Sequence, residues 1–205
     1  MTLSIPNRVV VFDYGEVISV SPTDADRAVI LEIAGVAAEP FWASYWAHRD
    51  ALDQGTVSVT EYWAAIARET GASWHPSTVQ LLWAADFRSW ISVEPGTIDL
   101  IARLYAGGTR IALLSNAGFD FAAPFRYSPM AQYFERMFVS AEMDNIKPDP
   151  AIYLEVCEGL GITPEQMVFV DNKSINTDAA AALGATVHHF TGVDGLGLFL
   201  ESLAS

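Results

Sequence analysis

Five short apolar runs limit how this chain can fold more than any other feature. They read RVVVFD (residues 8–13), RIALLS (110–115), RMFVSA (136–141), MVFVD (167–171) and ATVHHF (185–190). A continuous apolar run, as opposed to an alternating one, marks a strand covered on both faces, as parallel strands are. Between the runs lie helical stretches: EPGTIDLIARLYAGG (94–108), DPAIYLEVCEGLG (149–161) and INTDAAAALG (175–184). Each stops at or near glycine, the usual helix terminator. Pro150 and the Thr163–Pro164 pair punctuate two element boundaries. Strand and helix alternate from about residue 94 onward, as βαβ units do, and the fold class is α/β with a parallel sheet.

Residues 20–90 depart from this rhythm. TDADRAVILEIAG, EPFWASYWAHRDALDQG and SVTEYWAAIARETG are helical in pattern, and no convincing strand lies among them. SVTEYW opens as a capped helix, with Ser58 or Thr60 as the N-cap. The segment reads as a helical insert after the first strand, from which the chain returns to the sheet near WISVEPG. No internal repeat or low-complexity segment occurs.

The strand ends carry the chemistry. Asp13 closes the first apolar run, Ser115 the second, with Asn116 after it, and Asp171 followed by Asn172 the fourth. Lys147 lies in NIKPDP, a loop after the third run. In open parallel sheets, ligands bind beyond the carboxyl ends of the strands, where strand order reverses. A carboxylate, a hydroxyl, an ammonium and a second polar pair are thereby expected in one pocket. Taken singly, each is weak evidence, because an Asp at a strand end is more often a turn or helix cap. The four in this order are hard to obtain by accident.

Composition narrows the function classes. The chain of 205 residues is 51% hydrophobic and 18% charged, enough for one sizeable core with a smaller subdomain. A net charge of −14 repels phosphate backbones and anionic lipid, which argues against nucleic-acid and membrane partners. No apolar run reaches the roughly 18 residues that span a bilayer. MTLSIPNRVVVF carries neither the basic region nor the cleavage site of a signal peptide, and Cys157 has no partner for an internal disulfide, so a cytoplasmic location is expected. Nine arginines stand against two lysines, Lys147 and Lys173. A lysine retained in such a chain directs attention to its site.

The order of these motifs resembles the haloacid dehalogenase (HAD) superfamily of hydrolases, most of them phosphatases. VVVFDYGEVI is similar to its first motif, LLSNA to its second, IKPDP to its third and FVDNKSIN to its fourth. The resemblance covers essentially the whole chain. It implies a Rossmann-like parallel sheet core with helices on both faces, formed by residues 1–17 and 90–205, and an inserted α-helical cap over residues 18–89. It implies a small-molecule substrate, a phosphate monoester, and catalysis by Asp13, Ser115 and Lys147. Asp13 would be the nucleophile that forms an aspartyl-phosphate. Ser115, Asn116 and Lys147 would bind the substrate, Lys147 neutralising charge as a compact ammonium. The implied cofactor is Mg²⁺, held by Asp13, the backbone carbonyl of Gly15, and Asp171 or Asn172. Gly15 is expected to ease the turn that follows the strand.

Three positions depart from the commonest phosphatase pattern. The family's general acid, two residues after the nucleophile, is replaced by Gly15, as in a sub-branch that includes sugar-phosphate phosphatases. Glu16 is the neighbouring carboxylate, but its side chain is expected to point elsewhere. The acidic pair of motif four reads Asp171–Asn172, and Asn172 offers a neutral oxygen, so Mg²⁺ binding is expected to be weaker. Asn176 matches the family's Asp-or-Asn position and carries little weight.

Other residues read as structure. His188 and His189 are adjacent in a strand and so point to opposite faces. Trp42, Tyr45, Trp46 and Trp63 read mostly as cap core, Arg49 as a solvated or salt-bridged arginine, Lys173 as a loop lysine and Cys157 as a buried, inert thiol. Two other functions compete. A metal-independent 2-haloacid dehalogenase would use the same Asp13 against carbon, and Gly15 and Asn172 lean toward it. A degenerate member would bind ligand without turnover, against which the joint survival of Asp13, Ser115 and Lys147 argues. The substrate and the oligomeric state stay open.

Overall fold

The computed structural model describes residues 2–204. Five parallel strands form one sheet: β1 (Val9–Phe12), β2 (Arg110–Ser115), β3 (Arg136–Val139), β4 (Met167–Asp171) and β5 (Thr186–His189). Their order is β3-β2-β1-β4-β5. The first strand is central, with Val11 level with Ala112 on one side and Phe169 on the other. The chain builds outward from β1 to β2 and β3, then crosses back to place β4 on its opposite edge. That reversal leaves a crevice at the carboxyl ends of β1, β2 and β4.

All four residues of β1 are fully buried, as its unbroken apolar sequence requires. Successive side chains alternate between the faces of the sheet. Val10 and Phe12 pack with Leu100, Ile101 and Leu104 of α6 (Pro95–Ala106), Phe121 of α7 (Phe119–Tyr127) and Leu196 of α10 (Val193–Leu203). Val9 and Val11 face Ile152 and Val156 of α8 (Pro150–Leu160) and Ala180 of α9 (Ser174–Ala182). The helices on both faces are thus in place. Cys157 is a free, buried cysteine.

Between β1 and α6 run α1 (Asp24–Ala34), α2 (Ala38–Ala47), α3 (Arg49–Asp53), α4 (Val59–Thr70) and α5 (Pro76–Trp90). Ser58, not Thr60, caps α4, in a reciprocal capping box with Glu61, and Gly71 ends it in the left-handed conformation. The Trp-rich stretch, continuous in sequence pattern, breaks at His48 into α2 and α3. These helices bury a core of their own around Ile30, Phe41, Tyr45, Trp63, Ile66 and Leu82. Trp46 stands apart from the expected core aromatics, at 56% exposed.

WISVEPG does not rejoin the sheet as the sequence led us to expect. Val93 instead forms an isolated antiparallel bridge with Ser19, flanked by the hydrogen bonds Val20 N–H to Ser92 O (2.9 Å) and Glu94 N–H to Ile18 O (2.8 Å). The segment leaving the sheet and the segment returning to it satisfy each other's backbone groups. Among the described residues, no helix is long and apolar enough to cross a membrane.

Candidate active site

Asp13 follows the last residue of β1. Its N–H bonds Val170 O of β4 at 2.9 Å, so the sheet ladder itself aims the residue. Its Oδ1 accepts from the Tyr14 N–H at 2.7 Å and lies 2.7 Å from Lys147 Nζ. Burial pushes the Asp13 carboxyl up to about 6, against the downward pull of Lys147. Its Oδ2 has no hydrogen-bond partner among the described residues.

Lys147 is almost wholly buried, and its three ammonium donors meet Asp13 Oδ1, Asp171 Oδ2 (2.8 Å) and Leu114 O (3.0 Å). Burial alone would lower its pKa; the two carboxylates outweigh that and hold it above its ordinary value. The ammonium is therefore saturated, charged and fixed. Asn116 secures it from the backbone side: Asn116 Nδ2 donates to Lys147 O (3.0 Å) and Asn116 Oδ1 accepts from Lys147 N–H (2.9 Å). Asn116 also lines the cavity, and its amide keeps one N–H donor beyond the bond to the lysine. Ser115, the last residue of β2, is buried and lines the same cavity.

Motif four divides its work between its two members. Asp171 is wholly buried and absent from the cavity wall. Its Oδ1 accepts from Lys173 N–H (2.8 Å), its Oδ2 from Lys147, and Asn176 Nδ2 lies 3.0 Å from both oxygens. Asn176, given little weight from sequence, is a buried anchor of that carboxylate. Asn172 is the member that reaches the cavity, together with Asp13, Gly15 and Glu16. Its Oδ1 is buried without a partner, while its Nδ2 donates to Glu16 Oε2 at 2.7 Å. Glu16 therefore does not point away, as expected; it reaches across to motif four. It also takes the turn attributed to Gly15: Glu16 has φ +58°, and Gly15 is not in the left-handed region.

The cavity measures about 620 Å³ and is roofed by the helical insert. There Arg49 Nε bonds Asp53 Oδ1 (2.9 Å), its Nη1 bonds the Tyr45 hydroxyl (2.8 Å) and Asp86 Oδ2 (3.3 Å), and Tyr45 donates to Asp86 Oδ1 (2.6 Å). Arg49 is therefore the salt-bridged arginine expected, but half-buried and on the cavity wall. Burial pushes Asp53 up to about 6 and raises Asp86 as well. Tyr45, Arg49 and Asp53 stand four residues apart, a spacing the sequence shows; Asp86, on a third helix, has no local signal. The Ser140 hydroxyl accepts from Ala117 N–H (2.9 Å) and donates to Asp53 O, tying the end of α3 to the loop after Ser115.

The histidine pair divides as its strand geometry requires: His188 stacks on Phe199, ring centroids 4.6 Å apart, and His189 Nε2 lies 3.0 Å from Asn172 O. Among the described residues no three His, Cys, Asp or Glu side chains cluster as metal ligands. The cavity-lining Asp13 carboxylate and the unpartnered Asn172 Oδ1 are hard donors and suit a cation such as Mg²⁺, which accepts a carboxylate with carbonyl and water oxygens. The site fits that ion on its donor chemistry.

Comparison with known proteins agrees with this geometry. The family model for haloacid dehalogenase-like hydrolases matches residues 8–185. A phosphoglycolate phosphatase of Salmonella paratyphi A is 36% identical over 91 residues, which is 44% of this chain and 36% of that protein's length. The match thus spans little more than a third of the curated relative. A HAD family enzyme from Bacteroides thetaiotaomicron, crystallised as a magnesium complex, superposes with a TM-score of 0.75 at 24% identity, covering 94% of this chain and 98% of that one. The same enzyme is known in complex with magnesium and inorganic phosphate. A dehalogenase solved with an intermediate complex superposes with a TM-score of 0.67 at 18% identity, covering 95% and 97%. The protein belongs to the haloacid dehalogenase-like hydrolases.

Proposed function

We propose that this hydrolase is a Mg²⁺-dependent phosphatase of a small phosphate monoester, and that residues 18–89 act as a cap over its active site. The observation that carries this reading is the saturated Lys147 ammonium at 2.7 Å from a cavity-lining Asp13 carboxylate, beside the unpartnered Asn172 oxygen. The phosphatase relative and the magnesium and phosphate complexes of the Bacteroides enzyme support it.

An Asp13 oxygen attacks phosphorus, forming a P–O bond as the bond to the leaving alcohol oxygen breaks. Lys147 holds the nucleophile and offsets negative charge gathered around it. Ser115 donates a hydrogen bond to a phosphoryl oxygen, and Asn116 holds Lys147 in place. Water then attacks the aspartyl-phosphate at phosphorus, releasing inorganic phosphate and restoring Asp13. Mg²⁺ would be held by Asp13, the Gly15 backbone carbonyl and Asn172 Oδ1, where it would neutralise charge on the phosphoryl group. Asp171 serves from behind as the anchor of Lys147. Gly15 brings no acid to the leaving oxygen, which favours leaving groups that depart as weak bases.

The test is hydrolysis of p-nitrophenyl phosphate and of a panel of small phosphate esters, with and without EDTA. Mg²⁺-dependent turnover is expected. A second reading, metal-free hydrolysis of 2-haloacids, draws on the empty acid position at Gly15 and the dehalogenase superposition. Halide release from 2-chloropropionate in EDTA, with no phosphatase activity, would establish it instead.

A further inference from the structure

Glu16 has no part in the reaction just described, yet its placement is unusual. It adopts φ +58°, a conformation that residues other than glycine seldom take and that tends to collect at functional sites. Its backbone N–H donates to Ser19 Oγ at 3.2 Å and its Oε1 accepts from the Ser21 hydroxyl, so the loop holds the backbone at one point and the carboxylate at another. Its Oε2 receives Asn172 Nδ2 at 2.7 Å, from 156 residues away.

An ionised carboxylate only accepts hydrogen bonds, so the amide atom that faces it must be the nitrogen. That settles the Asn172 amide by chemistry, and Oδ1 is turned away from Glu16. Oδ1 is the buried atom without a partner. His189 Nε2, 3.0 Å from Asn172 O, steadies the backbone of the same residue.

We propose that Glu16 is a positioning residue for Mg²⁺. It holds the Asn172 amide with its oxygen free for the cation and supplies, one hydrogen bond further out, the negative charge that a carboxylate at residue 172 would have carried. Donation from Nδ2 to a carboxylate also shifts electron density toward Oδ1 and makes it a better ligand. The inference rests on the metal reading above, and the experiment separates the two.

Mg²⁺ is titrated calorimetrically into metal-stripped wild type, Glu16→Gln, Glu16→Ala, Asn172→Asp and the Glu16→Gln/Asn172→Asp pair. Glu16→Ala is expected to weaken binding about 10- to 100-fold, the usual effect of losing an outer-shell partner. Glu16→Gln can still accept from Asn172 and loses charge alone, so it falls between. In the Asn172→Asp background the ligand carries its own charge and needs no amide held in one orientation, so Glu16→Gln is expected to change Mg²⁺ affinity less than it does beside Asn172. Glu16 is exposed, so the near-isosteric glutamine variant stays folded even if the alanine variant does not. Wild-type affinity in both Glu16→Gln and Glu16→Ala would overturn the role of Glu16 and leave the metal reading standing. No Mg²⁺ heat in the wild type, with hydrolysis persisting in EDTA, would overturn both.

Discussion

Asp171 holds Lys147 from behind: its Oδ2 lies 2.8 Å from Nζ, and no part of the residue is exposed. The lysine is thereby kept pointing at Asp13 before any substrate arrives. Lys147→Ala is expected to lower kcat by about 10²–10³, by analogy with losing an oxyanion donor. It also strands two buried carboxylates, an effect of about 3–5 kcal/mol on stability. Lys147→Arg should rescue poorly, because a planar fork cannot meet three acceptors converging on one atom. Steady-state kinetics beside a melting curve checks both; full activity in the arginine variant would contradict this role.

Asp13→Asn is expected to abolish turnover while the fold persists. An amide is nearly isosteric but is no nucleophile here. The wild-type carboxylate is buried and held ionised at neutral pH against its raised pKa, so the asparagine variant should melt no lower than wild type at pH 7.5. A catalytically silent protein with a clearly lower Tm would mean that the Asp13–Lys147 pair is structural first.

The metal-free protein should be most stable on the acid side of neutrality. Asp13 and Asp53 are both pushed up to about 6 by burial, and Asp86 is raised too. An unfolded aspartate titrates near 3.8. The folded state therefore binds more protons between these values, and stability falls as pH rises from about 4 through 6. At the acid limit the sign is opposite: Glu69, Glu142 and Glu165 are lowered by hydrogen bonds, so their contribution is lost as pH falls through their folded values. Thermal melts across pH 3–9 should peak near pH 4. A Tm still climbing from pH 5 to pH 8 would rule this out.

Gly15 leaves room for an acid. Nothing lies within 4 Å of where its Cβ would stand, and its backbone is not left-handed. Gly15→Asp should fold normally and raise the turnover of an alkyl phosphate relative to p-nitrophenyl phosphate, whose leaving group needs no proton. An unchanged ratio would show that the acid is not what the wild type lacks.

Arg49 is not free to receive an anion. Its guanidinium already faces Asp53 and Asp86, two carboxylates for one cation. A second negative charge on the substrate should gain nothing from it. If phosphoglycolate is preferred to a neutral ester of similar size, the preference should come from Lys173 or Arg27, which line the same cavity, and should shrink in Lys173→Ala or Arg27→Ala while kcat for the neutral ester holds. A preference undiminished in both variants would show that Arg49 receives the anion after all.

The sheet was legible because burial on both faces leaves unbroken apolar runs, and β2 and β4 fall on their expected residues. Asp13, Ser115 and Lys147 were legible because strand ends converge wherever a parallel sheet reverses its order. What escaped depended on side-chain direction. The Glu16–Asn172 contact follows from a left-handed backbone at a non-glycine residue, which no propensity announces. Tyr45, Arg49 and Asp53 are four residues apart and pair as such spacing allows, but Asp86 joins them from a helix whose packing leaves no trace in short-range spacing. WISVEPG marks where the chain turns back toward the sheet, but its own backbone partner is the linker at Ser19, through the single bridge at Val93.

Both lysines of the chain line the same cavity, Lys147 deep inside and Lys173 exposed. Reagents that target side-chain amines therefore have one open address, and it lies on the cavity wall. A fluorophore attached there would report on occupancy of the cavity from a single point. A resin coupled through the same amine would bury that wall against the support. Protein immobilised in this way would look inert in a substrate screen, whereas protein tethered through its acidic surface would not.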